Sequence, residues 1–271
     1  MTNVDWLAAH ARRIRVNVIR QAMGKGEGYV GQGLQCADVF AALFFHEMRL
    51  APDRPDDPDR DRFLLSVGHY AIALYAALAE LGLLDADMLR TYGADGSPLT
   101  LGAEPGHLPG VEFAGGSLGQ GLGVAAGLAL GLRMRGSPAR VFNYMSDGEL
   151  QEGSTWEAAM FAADRGLAGL VNVIDVNRTQ ADGALGLEVE PVARKFESFG
   201  WWAQDVDGND LPALLQALDA ARAEAARPKA LVCHTRLSHG SPTLMARGIA
   251  HFVRVGREDW ETIMREVAGA P

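Results

Sequence analysis

The chain has 271 residues, of which 25 are Lys or Arg and 34 are Asp or Glu, giving a formal net charge of −9; 48% is hydrophobic. That acidic balance opposes a general attraction to phosphate backbones or anionic bilayers, so nucleic acid and membrane surfaces are excluded as first expectations, with room left for a local anion site. Two cysteines, Cys36 and Cys233, are too few for a disulfide framework. The most apolar long run, 121–132, is shorter than the ~20 residues a membrane helix needs. Asp5, His10, Arg12, Arg13 and Arg15 interrupt any N-terminal signal core, so the expected location is the cytoplasm.

Leu7, Ile14, Val18 and Ile19 form an apolar stripe that predicts a helix over 4–23, running into a glycine-rich loop at Gly24, Gly26, Gly28, Gly31 and Gly33. A second apolar helix is predicted over 37–48, and the proline-rich, mixed-charge stretch 51–62 reads as a solvated connection. Residues 63–70 read as a short strand ending in a loop that carries His69, and 71–81 as an Ala- and Leu-rich helix. From 139 the pattern is regular: strand 139–145, loop 146–154, helix 155–166, strand 167–175, then a helix over 211–226 and a buried strand over 229–235. Apolar strands alternating with amphipathic helices predict a doubly wound α/β fold, a mostly parallel sheet with helices on both faces. No repeat or linker divides the chain, so 1–271 is expected to be a single domain. A short helix at 257–267 reads either as a solvated terminus or as a seal against a partner.

Ligands of an open parallel sheet sit at the carboxyl ends of its strands, and there the sequence places Asp147, Gly148, Asn177 and Gln180. A carboxylate, an amide oxygen and a backbone carbonyl are hard donors suited to a small divalent cation, Mg²⁺, completed by phosphate oxygens and water. Gly148 would let a phosphate approach the backbone closely. Taken singly, Asp-Gly after a strand is more often a plain turn.

The stretch 146–183 resembles the thiamine diphosphate motif of transketolases, which runs from a Gly-Asp-Gly to an Asn about thirty positions on. Within it, Leu150-Gln151-Glu152-Gly153 and Asp175-x-Asn177-x-x-Gln180 are closer to transketolase than to the dehydrogenase or decarboxylase branches. Segments 61–78 and 109–133 resemble two further transketolase blocks, so the likeness covers nearly the whole chain. It implies that Asp147, Asn177 and the carbonyl of Thr179 hold Mg²⁺ and that Gly148 contacts the diphosphate. Gly116, Ser117 and Leu118, opening the Gly- and Ala-rich helix, would turn free backbone N–H groups toward the diphosphate or aminopyrimidine side of the cofactor. His69 would lie near the diphosphate and the reacting carbons. An ungapped alignment from 233–235 brings His251 to the family's proton-shuttling histidine over the cofactor. Glu152 corresponds to a subunit-interface carboxylate and reads equally as a charge at a helix entry. His10, His46, His107, His234 and His239 read as structural, and Phe196, Phe199, Trp201 and Trp202 as core or interface.

Three positions depart from the family pattern. Ser146 replaces the first glycine of Gly-Asp-Gly, a small-for-small change. Tyr29 stands where the family has a sugar-hydroxyl-binding histidine, and Gly102 falls at a second such histidine, with His107 nearby. Loss of groups built for substrate hydroxyls alters which donor or acceptor is used, so an unusual substrate is expected. A transketolase also continues into a pyrimidine-binding domain, which supplies the glutamate that activates the cofactor, and then a third domain. The resemblance therefore implies the diphosphate-binding subunit of a split enzyme, active only with a separate pyrimidine-domain subunit in an α2β2 heterotetramer. Its expected reaction moves a two-carbon ketol or related acyl unit from a ketose or 2-oxo donor to an aldehyde acceptor. Two alternatives stand beside it: a thiamine-dependent 2-oxoacid decarboxylase or acyloin synthase subunit, and a non-catalytic regulatory subunit.

Overall fold

A computed structural model describes residues 3–181, 183–248 and 251–269. Its centre is a five-stranded, wholly parallel sheet. The strands are β2 (Arg62–Leu65), β3 (Val141–Ser146), β4 (Leu170–Val176), β7 (Trp202–Asp207) and β8 (Lys229–His234), in the spatial order β2-β3-β4-β8-β7. The helices are α1 (Asn3–Lys25), α2 (Val30–Gln35), α3 (Ala37–Ala42), α4 (Ala71–Leu81), α5 (Gly121–Met134), α6 (Gly153–Asp164), α7 (Val192–Ser198), α8 (Leu211–Ala223), α9 (Pro242–Met245) and α10 (Arg257–Ala268). Two small antiparallel pairs complete the fold: β1 (Glu27–Gly28) with β9 (Val253–Arg254), and β5 (Thr179–Gln180) with β6 (Gly183–Ala184).

The central strands are apolar on both sides, and successive side chains feed two separate cores. Val141 and Met145 of β3, with Leu170 and Ile174 of β4, pack with α5, α6 and α7. Phe142, Tyr144, Val171 and Val173 pack with α1, α3, α4 and α8 on the other face. This division follows from the right-handed crossover rule. The steps into β3, β4 and β7 move one way across the sheet and place α5, α6 and α7 on one face, the first of them passing through α4 on the other face before α5, whereas the step from β7 back to β8 reverses direction and carries α8 to the α4 side. The expected doubly wound architecture is the one observed.

Several local readings change. The short strand expected within 63–70 ends at Leu65, and the loop after it, which carries His69, is a 3₁₀ turn at Gly68–Tyr70 that leads directly into α4. The predicted helix over 37–48 is α3 followed by one wider π turn, Leu43–Glu47. The glycine cluster after α1 is not all loop: α2 lies within it, and a Cβ at Gly33 would meet Val18 Cγ1 at 2.8 Å. β7 was not expected, because it is the edge strand and its exposed or half-exposed residues include Gln204, Asp205 and Asp207 rather than an apolar run. Helix α10 is amphipathic: Trp260, Ile263 and Val267 are buried in the α1-side core, while Glu258, Glu261 and Arg265 on its other face are exposed. Trp201 and Phe196 are core residues, and the Trp201 indole donates to the Ala159 carbonyl at 2.9 Å. Among the described residues no helix is long and apolar enough to cross a membrane.

Candidate active site

The carboxyl ends of β2, β3 and β4 open into one cleft of about 410 Å³, lined by Tyr29, His69, Gly116, Leu118, Gly148, Thr179 and His251 among others. Register places the strand ends together: Leu65 beside Tyr144, and Ser146 beside Asp175. Five of the expected site residues, His69, Gly116, Leu118, Gly148 and Thr179, thus reach one cavity, as does His251 from a segment more than 180 residues later in the chain.

Asp147 is buried beneath the cleft. Its Oδ2 accepts from the backbone N–H groups of Asn177 (3.1 Å) and Arg178 (2.6 Å). Arg178 sits in the left-handed region at φ 58°, a conformation costing a non-glycine residue of order 1 kcal/mol, and this turn aims both N–H groups at the carboxylate. The other oxygen, Oδ1, is buried and takes no hydrogen bond among the described residues. Burial, with the Asp175 carboxylate nearby, pushes the Asp147 carboxyl up to about 7. An orphaned carboxylate oxygen at the floor of a cleft fits a cation, which would supply the missing partner.

Asn177 lies half-buried at the end of β4. Its Oδ1 accepts from the Thr179 N–H (2.8 Å), and its Nδ2 donates to the Tyr70 hydroxyl (2.9 Å). Among the described residues no group of three or more His, Cys, Asp or Glu side chains converges on a metal position. A cation held by the Asp147 carboxylate, the Asn177 amide and the Thr179 carbonyl would have too few protein oxygens, so its coordination would need oxygens from a phosphate ligand. Conversely, the Asp147 and Asp175 carboxylates repel a bare diphosphate, so anion and cation enter favourably only together.

Within the glycine segment, three N–H groups are engaged by the scaffold, of which Gly116 is one of the three expected to face the cofactor. Gly116 N donates to the Ser66 carbonyl (3.0 Å), Gly119 N to Glu149 Oε1 (3.1 Å) and Gly121 N to Ser66 Oγ (3.1 Å). These donors tie the segment to the scaffold. Its closeness to the β2 loop explains two glycines: a Cβ on Gly68 would run into the Gly115 and Gly116 backbone, and one on Gly115 into the Leu65 and Ser66 carbonyls. The acceptor at the centre, Glu149, went unrecognised in the sequence. It is fully buried and also accepts from Ser66 Oγ and from Ser146 N (3.1 Å), joining the ends of β2 and β3 to the entry of α5. The spacing Ser146-x-x-Glu149 is a capping-box signature that could have identified it. Glu152, by contrast, is exposed at the start of α6 and outside the residues lining the cleft.

One wall of the cleft is aromatic. Tyr29 lies with ring centroids 5.1 Å from His69, 5.4 Å from His251 and 5.0 Å from Phe252, and the two histidine rings are 4.8 Å apart. Gln32 Nε2 is 2.7 Å from His251 Nδ1. Burial, reinforced by His251, lowers the His69 pKa to about 4, so its imidazole is neutral near pH 7. His107 is exposed, within 3.8 Å of Glu104 and outside the residues that line the cleft, so it does not take the place left by Gly102. His10 is structural: it is buried against Phe45 and bonded to Glu80 at 2.7 Å.

Residues 7–270 match the family model described as the transketolase thiamine diphosphate binding domain. The chain belongs to the transketolase family. An uncharacterised transketolase family protein of Sinorhizobium fredii is 49% identical over 96% of this chain and 94% of its own length. The 6-deoxy-6-sulfo-D-fructose transketolase subunit SqwG of Clostridium sp. strain MSTE9 is 35% identical over 93% of the chain and 94% of its own length. An apulose-4-phosphate transketolase subunit of Phocaeicola vulgatus is 32% identical over 98% and 95%. Among solved structures, the Campylobacter jejuni transketolase superposes with a TM-score of 0.89 at 26% identity over 99% of the chain, and that of Leishmania mexicana with 0.87 at 29% over 100%. The chain spans 43% and 42% of those two transketolases, and nearly all of the subunit relatives.

Proposed function

We propose that this transketolase-family chain is the diphosphate-binding subunit of a transferase that moves a two-carbon ketol unit from a ketose or related 2-oxo donor to an aldehyde acceptor. The observation that carries the reading is Asp147, a buried carboxylate whose Oδ1 takes no hydrogen bond among the described residues, lying between Ser146 and Gly148, which line a cleft shared with the glycine segment and two histidines. Asp147, the Asn177 side chain and the Thr179 carbonyl would hold Mg²⁺, and Gly148 and Gly116 would leave room for the diphosphate. Thiamine diphosphate, when bound, supplies a carbon nucleophile and a sink for the electron pair released when a carbon–carbon bond breaks. The chain's own part is to fix that group and manage protons. Neutral His69 can donate a hydrogen bond to a substrate oxygen or accept a proton from it, and His251, within ring contact, is placed to pass a proton on.

The pyrimidine-binding half, with its activating glutamate, comes in this reading from a separate chain, in an α2β2 assembly; relatives of the same span bear the name subunit. Their named ketoses differ from one another, and Tyr29 here suits a donor other than a simple ketose phosphate. The cytoplasm is the proposed location, consistent with two buried, unpaired cysteines. The test is calorimetric titration of thiamine diphosphate with Mg²⁺ into the wild-type chain, alone and co-purified with a candidate pyrimidine-domain chain, and into Asp147→Ala. Binding that requires Mg²⁺ and disappears in the variant is expected. Equal affinity in the variant would remove Asp147 from the site, and no binding in any preparation would favour a non-catalytic subunit.

A further inference from the structure

Beneath the cleft lies a second buried carboxylate, and it is not short of partners. Asp175, at the end of β4, accepts from Thr235 Oγ1 (2.6 Å) through Oδ1. Through Oδ2 it accepts from the Tyr70 hydroxyl (2.6 Å) and the Gln35 amide, with Asn177 Nδ2 at 3.4 Å. Tyr70 is 1% exposed, and its hydroxyl is the junction of this network. It has one proton, which it gives to Asp175. Its lone pairs then face two amide donors, Gln35 Nε2 and Asn177 Nδ2, each at 2.9 Å.

We propose that Tyr70, backed by Asp175, is a positioning residue that holds the Asn177 amide with its nitrogen toward the core and its oxygen toward the cation. The inference rests on Asn177 being a metal ligand, as argued above. Turning the amide over would set its oxygen 3.4 Å from a carboxylate oxygen and 2.9 Å from a hydroxyl whose proton is already committed. It would also set an NH₂ group against the Thr179 N–H, which now donates to Oδ1 at 2.8 Å. Thr179 therefore favours the same orientation from outside, and Tyr70 fixes it from within. An amide free to turn presents a donor to a cation part of the time, whereas a pinned one presents an acceptor always. Partners of this kind behind a metal ligand typically change metal affinity by about 10–100-fold when removed.

The experiment compares Tyr70→Phe, Thr235→Val and Asn177→Ala with wild type. It uses the full chain in whichever preparation, alone or with its partner chain, the wild type binds Mg²⁺ in the presence of thiamine diphosphate. Thr235→Val is the control for ordinary destabilisation, since it removes a hydrogen bond to Asp175 of the same length from a side chain that makes no hydrogen bond to the Asn177 amide. Mg²⁺ affinity is read by calorimetry, and the Asn177 side-chain NH₂ by its ¹⁵N-resolved exchange with solvent. Tyr70→Phe is expected to weaken Mg²⁺ binding about tenfold and speed exchange of that NH₂, while Thr235→Val lowers the melting temperature without either change. If Asn177→Ala weakens binding and Tyr70→Phe does not, the positioning role is overturned and the ligand assignment stands. If both polar variants weaken binding equally, Tyr70 acts only through stability and the proposal also fails. If Asn177→Ala binds as wild type does, or wild type binds in no preparation, the metal reading itself is lost and the Tyr70 role with it.

Discussion

The residue on which the cleft's geometry most depends is Glu149, and replacing it by Gln isolates its charge from its shape. Its two oxygens receive three donors, Ser66 Oγ, Gly119 N and Ser146 N, and no acceptor faces it. Burial pushes this carboxyl up, yet a protonated acid would turn its own O–H against one of those donors, so the three bonds require the anion. In Glu149→Gln the best arrangement keeps the carbonyl oxygen on Ser66 and Gly119 and sets the NH₂ against the Ser146 N–H. That forfeits one bond to a charged acceptor, worth ~1.5–3 kcal/mol, and leaves a buried N–H unsatisfied at ~1–3 kcal/mol, a combined loss of about 3 kcal/mol. Glu149→Ala orphans all three donors and should cost about 5 kcal/mol or more, a large part of a typical domain's stability. Urea unfolding at pH 8, where the carboxyl is ionised, measures both. A Glu149→Gln chain within about 1 kcal/mol of wild type would refute the claim that the ends of β2 and β3 are joined through a charged acceptor.

Three further outcomes follow from the same structure. The His69 pKa is lowered to about 4 in the fold against 6.5 for the ordinary side chain, so the unfolded chain takes up the proton first as the pH falls. Its contribution is therefore fully present above pH 6.5 and lost between 6.5 and 4, about 3 kcal/mol in all; urea unfolding of wild type and His69→Gln across that window should diverge, and parallel curves would refute the burial argument. Gly68→Ala drives a Cβ into the Gly115 backbone and should cost about 3 kcal/mol or more, measured by thermal unfolding; a wild-type melting temperature would mean that the 115–121 segment does not pack as described. Tyr29→His replaces an aromatic ring beside His69 with a polar one and should raise turnover of simple ketose phosphates relative to wild type, measured over a donor panel with the assembled enzyme. An unchanged panel would separate Tyr29 from donor choice.

The sequence showed most clearly what repeats along it. The apolar strands β3, β4 and β8 and the helices between them are legible because burial on both faces leaves uninterrupted hydrophobic runs, and right-handed crossovers then order them. Asp147, Gly148, Asn177 and His69 were legible because motif spacing places them at strand ends. What the pattern could not show is how one polar residue answers another far away. Asp175 takes its partners from Gln35, Tyr70 and Thr235, separated from it by 140, 105 and 60 positions. Glu149 reaches Ser66 across 83. Each of these carboxylates reads locally as one more acidic residue in a loop or at a strand end; only their complete burial reveals that they must be satisfied.

Three buried carboxylates at one end of a sheet pose an electrostatic question, and the distribution of donors answers it. Glu149 has donors on both oxygens, and so has Asp175. Asp147 has two backbone donors on one oxygen and none on the other among the described residues. The two satisfied carboxylates build walls; the unsatisfied one is the only one of the three whose energy falls sharply when a cation arrives. Burial, with Asp175 nearby, already raises the proton affinity of Asp147, the mark of a carboxylate that lacks a compensating positive charge. A ligand that removes the deficit binds the folded chain and not the unfolded one, so it must raise the melting temperature with its concentration, stabilising the fold by about 2.7 kcal/mol at one hundred times its Kd. Mg²⁺ with thiamine diphosphate should do so, and neither component alone should match the pair, because the diphosphate without the cation meets two carboxylates and the cation without the diphosphate lacks oxygens to complete its coordination.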